Sequence, residues 1–114
     1  MIDLGKVAER AWANRRARDR AFGDSNLFGE PAWDILLDLA MSEAKGQAVP
    51  VSSASAGAGI PLTTALRHVQ LLIEAGLIEK HIDITDRRRS FLRLTKKGKR
   101  CLLRYADKTF MLQE

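Results

Sequence analysis

One stretch of this chain, residues 60–98, restricts the possible folds more than any other. It begins with apolar residues at helical spacing and reaches Gly76, where a left-handed exit from the helix is expected. Two short apolar segments follow at 77–82 and 91–94, and the connection between them contains three consecutive arginines. Thr95 then precedes a further helical pattern as its cap. A helix followed directly by a basic β-hairpin is the layout of a winged helix-turn-helix.

Helical patterns flank this unit on both sides. We expect a helix over residues 2–21, a connector over 22–31, and a helix from Pro31 to about Ala44. Phe22, Leu27 and Phe28 are expected to anchor the connector to the core. The helix after Pro31 has an apolar stripe and a side that we expect to face solvent, formed by Asp34, Asp38 and Glu43.

The helix-turn-helix is predicted from small residues and glycines. A short helix is expected over residues 53–57, and Gly57, at its end, and Gly59 are expected to supply the turn. The recognition helix follows over about 61–75, with a predicted buried stripe of Leu62, Ala65, Val69, Leu72 and Ile73. A last helix is expected from 96 to about 113. The predicted fold class is α+β, mostly α: a winged helix-turn-helix with flanking N- and C-terminal helices.

Length and charge fit one basic domain. The 114 residues suffice for a single core, divided into residues 1–29 (N-terminal helix and connector), 30–95 (winged-helix core) and 96–114 (C-terminal helix). The net charge of +5 is unevenly spread: residues 61–104 hold 11 basic and 4 acidic residues, whereas residues 30–60 hold 1 and 4. Basic charge concentrated on the helix and hairpin favours nucleic acid as a partner.

Location follows from what the sequence lacks. No apolar run approaches the ~20 residues of a membrane span, and the N-terminus has no signal-peptide core. The single cysteine, Cys101, is compatible with a reducing compartment and is expected to be a buried helix residue. We therefore expect a cytoplasmic, nucleoid-associated protein with no membrane partner.

Two groups of polar residues are candidates for contacting DNA. The first is the polar face of the recognition helix, where arginine can grip guanine and glutamine can contact adenine; it comprises Thr63, Thr64, Arg67, His68 and Gln70. Leu62 is an alternative contact for a thymine methyl. The second is the hairpin tip, Arg87, Arg88 and Arg89 beside Asp86, which can orient one of the arginines. The alternatives are a solvated helix face and a solubilising loop.

Other charged or reactive residues suggest less. The arginines at the end of the first helix, Arg15, Arg16, Arg18 and Arg20, are interpreted as a solvated helix end, with an auxiliary DNA contact as the alternative. His68 and His81 have no partner at metal-ligand spacing, and Cys101 has no evident base. The sequence thus predicts no catalytic residues, no metal site and no cofactor.

The segments LTTALRHVQLLIEAGLIEK and DITDRRRSFLRLTKKG resemble the MarR-type winged-helix transcription factors. The resemblance covers about 40 residues in order: the Thr-Thr start, the apolar helix, Gly76-Leu77-Ile78, Asp86-Arg87-Arg88, and Leu94-Thr95 with Gly98. It implies a homodimer on a roughly palindromic operator, with recognition helices in successive major grooves. Arg88, and next Arg87, would reach the minor groove, and Thr63, Thr64 and Arg67 match helix positions that face DNA.

The resemblance also bears on dimerisation and effectors. The expected dimer interface includes Trp12, Leu103, Tyr105, Phe110 and Met111, together with Leu102 and Leu112. The chain carries less helix after the wing than is usual in the family, which weakens the case for a small-molecule effector pocket and for the dimer. Two rival functions stay open: a winged-helix protein-interaction module that uses the apolar ends and the acidic residues 34–43, and a non-specific nucleic-acid binder.

Overall fold

The computed structural model describes the backbone of residues 2–22 and 30–113, and the side chains of these residues except 18, 19 and 107–113. The described elements, in chain order, are α1 (Leu4–Phe22), α2 (Pro31–Ala44), β1 (Val49–Pro50), a 3-10 turn (Val51–Ser53), α3 (Ala54–Ala58), α4 (Leu62–Glu74), β2 (Ile78–Ile82), β3 (Ser90–Leu94) and α5 (Lys96–Gln113). The predicted α+β winged helix-turn-helix with flanking helices is confirmed.

The three strands form a small antiparallel sheet in the order β1-β3-β2. Val49 pairs with Leu92, and the β2–β3 hairpin runs from the pair Ile78–Leu94 to the pair Ile82–Ser90. Ile78 is buried, whereas the other four residues of β2 are exposed. The hairpin is therefore fixed to the core at its base, and its tip projects into solvent.

The core is centred on α2, which is covered on more than one side. Ile35, Leu37 and Leu39 are each almost completely buried, together with residues from α1, α4, the sheet and α5. A helix covered by both α1 and α4 has no broad solvent face. The prediction that Asp34 faces solvent is therefore wrong, since its exposed fraction is 1%.

Asp34 is buried because two arginines of α1 neutralise it. Arg15 donates from Nε to Oδ1 at 2.6 Å and from Nη2 to Oδ2 at 3.2 Å. Arg16 donates from Nη2 to Oδ2 at 2.6 Å, and Arg15 also reaches Glu30 at 2.6 Å. We call these four residues the ion cluster. The prediction of a solvated helix end is wrong for Arg15 and Arg16; Arg20 is exposed, and the Arg18 side chain lies outside the described residues.

The turn of the helix-turn-helix uses one of the two predicted glycines. Gly59 adopts φ +66°, a left-handed conformation that glycine adopts without strain. Gly57 instead lies within α3, where an added Cβ would lie 2.9 Å from the Asp38 carboxyl, so its prediction as a turn residue is wrong. The indole N–H of Trp12 donates to the Gly57 carbonyl at 3.3 Å and ties α1 to α3.

The end of α4 is joined to the start of α5 through Gly76 and Thr95, and the predicted left-handed Gly76 and Thr95 cap are confirmed. Gly76 adopts φ +74°, and the Leu77 N–H bonds back to the Leu72 carbonyl at 3.0 Å. The Thr95 hydroxyl donates to the Gly76 carbonyl at 2.6 Å and accepts from the Gly98 N–H at 3.0 Å. Thr95 thus caps α5 and holds the end of α4 against the base of the hairpin.

Three smaller expectations concern single side chains. Phe22 is 64% exposed, so its prediction as a core anchor is wrong, and Leu27 and Phe28 lie outside the described residues. Cys101 is exposed rather than buried. The reason is the same for Phe22 and Cys101: residue type alone does not say which face of a helix is covered.

Candidate nucleic-acid interface

The outer face of α4 carries the polar residues that the sequence singles out. The helix begins where the Ala65 N–H bonds to the Pro61 carbonyl at 2.9 Å. Ala65, Val69 and Leu72 are buried and define the inner face. Residues at three- and four-residue spacing on the opposite side share one outward row. This outer row is exposed and consists of Thr63, Arg67 and Gln70.

The other two predicted contact residues of α4 lie beside this row. Thr64 and His68 are half-buried on one flank of the helix. Gln70 has a partner on its own helix, since its Nε2 donates to Glu74 Oε1 at 3.4 Å. Arg67 is therefore the exposed cation of the outer row, with Thr63 one turn before it and Gln70 nearly one turn after it.

Three leucines of α4 are exposed, and the sequence analysis anticipated this only for Leu62, as the alternative contact for a thymine methyl. Leu62, predicted to be buried, is 41% exposed, and Leu66 and Leu71 are 39% and 54% exposed. The inner face of this 13-residue helix is narrow and is filled by Ala65, Val69 and Leu72. The signal was present in the sequence, because seven apolar residues in one short helix are too many for a single stripe.

The loop at the hairpin tip, residues 83–89, is closed by its own side chains. The Asp83 N–H donates to the Arg89 carbonyl at 3.0 Å, and the Arg89 N–H donates to the Asp86 carbonyl at 3.0 Å. Asp83 Oδ1 accepts from the backbone and hydroxyl of Thr85 at 2.9 and 2.7 Å. The hydrogen bond from the Thr85 hydroxyl is the main cause that lowers the pKa of Asp83 from its ordinary value of 3.8, and the bond from the Thr85 backbone comes next. The contact with Arg89 lowers this pKa less.

The three loop arginines differ in what they contact. Arg89 folds back on the hairpin, with Nη2 3.1 Å from Asp83 Oδ2 and its guanidinium 5.8 Å from the Phe91 ring centroid. Arg88 is 92% exposed, and its side chain makes one bond to Asp86, through Nε at 3.2 Å, rather than a bidentate pair. Its backbone N–H donates to the same Asp86 oxygen at 3.1 Å. Arg87 is also exposed. The geometry separates Arg89, which supports the loop, from Arg87 and Arg88, which face solvent.

The residues predicted to form a dimer interface are in part engaged within the chain. Trp12 contacts Gly57 and lies 5.2 Å from the Arg16 guanidinium. Tyr105 stacks edge-on against Trp33 at 4.9 Å, yet it and Leu103 remain about 40% exposed. Leu102 is a core residue, so its prediction as an interface residue is wrong. The side chains of Phe110, Met111 and Leu112 lie outside the described residues.

An open groove of about 910 Å³ lies between the hairpin and the start of α5. Its charged lining mixes three acidic with three basic side chains: Glu43, Glu79, Asp83, Arg93, Lys96 and Lys99. Such a mixture favours neither an anionic nor a cationic ligand.

The described part of the chain offers neither a metal-binding group nor a membrane-spanning helix. Among the side chains that the structure describes, no group of three or more His, Cys, Asp or Glu is arranged to hold a metal ion. None of the helices described above is long and apolar enough to cross a membrane.

The fold is similar to that of solved transcriptional regulators. A MarR family transcriptional regulator from Silicibacter pomeroyi has a TM-score of 0.60 and 20% identity, covering 96% of this chain and 68% of that one. The PcaV transcriptional regulator of Streptomyces coelicolor has a TM-score of 0.59 and 23% identity, and the match covers 96% of this chain and 76% of that one. FabT of Streptococcus pneumoniae, solved in complex with DNA, has a TM-score of 0.57 and 22% identity, and the match covers 96% of this chain and 74% of that one.

Sequence comparisons add no relative to these structures. No protein-family model matches the chain, and a comparison with curated proteins gives no match. At 20–23% identity the structural likeness establishes the architecture: the chain has the winged-helix fold of MarR-type transcriptional regulators.

Proposed function

We propose that this protein is a sequence-specific double-stranded DNA-binding transcriptional regulator without catalytic activity. The observation that carries the proposal is a helix with an exposed Arg67, joined through Gly76 to a hairpin with two solvent-facing arginines, Arg87 and Arg88. A helix and a basic hairpin in this order suit a major groove and the adjoining backbone. FabT, which shares the fold, is solved in complex with DNA.

In this proposal α4 enters the major groove. Arg67 recognises guanine through a bidentate pair, and Gln70 exchanges its Glu74 contact for an adenine. Thr63 and Thr64, at the helix N-terminus, bind phosphate or base edges. His68, half-buried on the flank, is a secondary contact.

The hairpin supplies a second contact in the same proposal. Arg88 enters the minor groove or binds its phosphates, and Arg87 binds the backbone. Arg89 contributes mainly by holding the loop against Asp83 and Phe91. Affinity from such contacts falls steeply with salt, because counterions are released from the phosphates.

We further propose that the chain is a single domain acting as a homodimer in the cytoplasm, bound to the nucleoid. Leu103 and Tyr105 are exposed on α5 and offer apolar contacts, to which Trp12, Phe110 and Met111 would add. Two copies would place two α4 helices on the half-sites of a palindrome. A small-molecule effector is not part of the proposal.

The protein-interaction alternative receives less support. It relies on the acidic residues 34–43 as an exposed contact, but Asp34 is buried in the ion cluster. Glu43 is also engaged, since its Oε1 accepts from the Leu94 N–H at 3.0 Å. Much of this acidic charge is thus used inside the chain.

The test is selection from random duplex DNA at moderate salt, with the mass of the complex measured in parallel. A palindromic motif bound by two chains is the expected result. Retention that is sensitive to salt but shows no motif would make the protein a non-specific nucleic-acid binder. No retention would leave the protein-interaction module as the better function.

A further inference from the structure

Leu62 and Leu66 form an exposed apolar pair on the outside of α4. They are one helical turn apart and project from adjacent positions of one flank. Both keep about two-fifths of their surface in solvent, while Ala65, Val69 and Leu72 fill the inner face. The core therefore does not account for these two leucines.

The pair lies beside the polar row of the proposed recognition surface. Thr63 follows Leu62 and Arg67 follows Leu66 in sequence, so each leucine lies beside a residue of the polar row. This N-terminal half is the part of a recognition helix that contacts base edges. Leu71 is more exposed, at 54%, but lies in the last turn on the other flank of the polar row.

The major groove contains one apolar group that such a pair fits. The edges of guanine, cytosine and adenine present hydrogen-bond donors and acceptors, whereas thymine adds a C5-methyl group. A leucine against this methyl removes apolar surface of both partners from water. Against any other base edge the same leucine covers polar groups without bonding to them.

We propose that Leu62 and Leu66 recognise thymine methyl groups next to the base that Arg67 contacts. This inference rests on the proposed DNA-binding function and adds its base preference. Arg67 supplies hydrogen-bond recognition of one base, and the leucine pair supplies apolar recognition of its neighbours. The operator is then expected to carry thymine beside the Arg67 contact in each half-site.

The test removes the methyl group and nothing else. Each thymine of the selected operator is replaced by deoxyuridine, which keeps the same hydrogen-bonding edge. Wild-type protein should lose about four-fold in affinity for each contacted methyl, the factor expected for one buried carbon. Thymines outside the contacted positions should show no change and serve as internal controls.

Variants then assign the effect to the pair. Leu62→Ala and Leu66→Ala should bind the thymine operator more weakly and should no longer distinguish thymine from deoxyuridine at the affected position. Leu71→Ala is the matched control, because it removes an exposed leucine of the same helix and should keep the full deoxyuridine effect. Thermal unfolding of all three variants checks that the fold is intact.

The outcomes separate this inference from the proposed function. Tight, motif-specific binding that is indifferent to deoxyuridine overturns methyl recognition and leaves the regulator intact. A selected motif without thymine beside the Arg67 base does the same, as does a full deoxyuridine effect in both leucine variants. Failure to bind duplex DNA at all overturns the regulator, and the methyl recognition with it.

Discussion

Two pairs of consecutive arginines lie in opposite environments in this chain. Arg15 and Arg16 lie between α1 and α2, where Asp34 accepts hydrogen bonds from both of them. Arg87 and Arg88 lie at the hairpin tip, where Arg88 contacts Asp86 of its own loop through its backbone N–H and a single side-chain bond. The side chain of Arg15 is 8% exposed and that of Arg88 is 92% exposed.

The role of an arginine in this protein therefore depends on which groups pack against it. A buried guanidinium with a carboxylate partner is held in place, and removing one partner leaves an uncompensated charge. An exposed guanidinium with a surface partner adds little to stability, and it is available to a polyanion. Stability and proposed DNA binding are thus assigned to different arginines of one protein.

Asp34→Ala, which removes the shared partner of Arg15 and Arg16, should have the largest effect, on the free energy of unfolding. Arg15 would keep its contact with Glu30, but the buried Arg15 and the half-buried Arg16 would both lose the carboxylate that they share. The free energy of unfolding should fall by about 3–5 kcal/mol. Urea denaturation followed by circular dichroism measures the loss. The matched control is Asp86→Ala at the hairpin, which should change the free energy of unfolding by no more than about 0.5 kcal/mol. Equal losses in the two variants would refute the distinction.

Arg67→Ala should have the next largest effect, on DNA discrimination rather than on stability. A bidentate arginine–guanine contact contributes about 1–3 kcal/mol of discrimination against the wrong base. The ratio of operator to random-DNA affinity should fall by this amount, while non-specific binding should change less. An unchanged ratio in fluorescence titrations would show that Arg67 recognises no base.

Much of the winged-helix unit can be predicted because its signals are local. Gly76 ends α4, Thr95 caps α5, and the apolar residues of β2 and β3 are close in sequence. The ion cluster cannot be predicted in this way, because Arg15 and Asp34 are 19 residues apart on different helices. A pattern within one helix does not show that a second helix supplies the opposite charge.

The site divides along the same line. The outward row with Arg67 follows from the helical period, and the exposure of Arg88 follows from its place in a turn. The position of Arg89 does not follow, since its contacts with Asp83 and Phe91 depend on how the loop closes. The sequence shows that α4 has more apolar residues than one stripe can hold, but tertiary packing decides that Leu66 is among those left exposed.

Arg88→Ala should weaken DNA binding without changing stability. Loss of one phosphate contact should weaken binding to all duplex sequences and reduce the slope of log affinity against log salt by about 1. The control is Lys6→Ala, which removes one exposed positive charge from the first turn of α1 and should leave the slope unchanged. The midpoint of urea unfolding should be the same for Arg88→Ala as for wild type. Identical salt slopes for wild type and Arg88→Ala would place this arginine outside the interface.

The smallest effect concerns Asp38, which follows Asp34 by one turn of α2 and lies against Gly57. Burial raises the pKa of Asp38 above 3.8, so the folded state disfavours its ionised form. The penalty is absent below pH 3.8 and grows as pH rises through the raised pKa. Asp38→Asn removes this titration, and its stability relative to wild type should therefore rise with pH over this interval and then level off. Urea unfolding from pH 3.5 to 7 measures this pH dependence. A difference that is constant with pH would mean that folding does not shift the pKa of Asp38, and one that declines as pH rises would mean that the folded state favours its carboxylate.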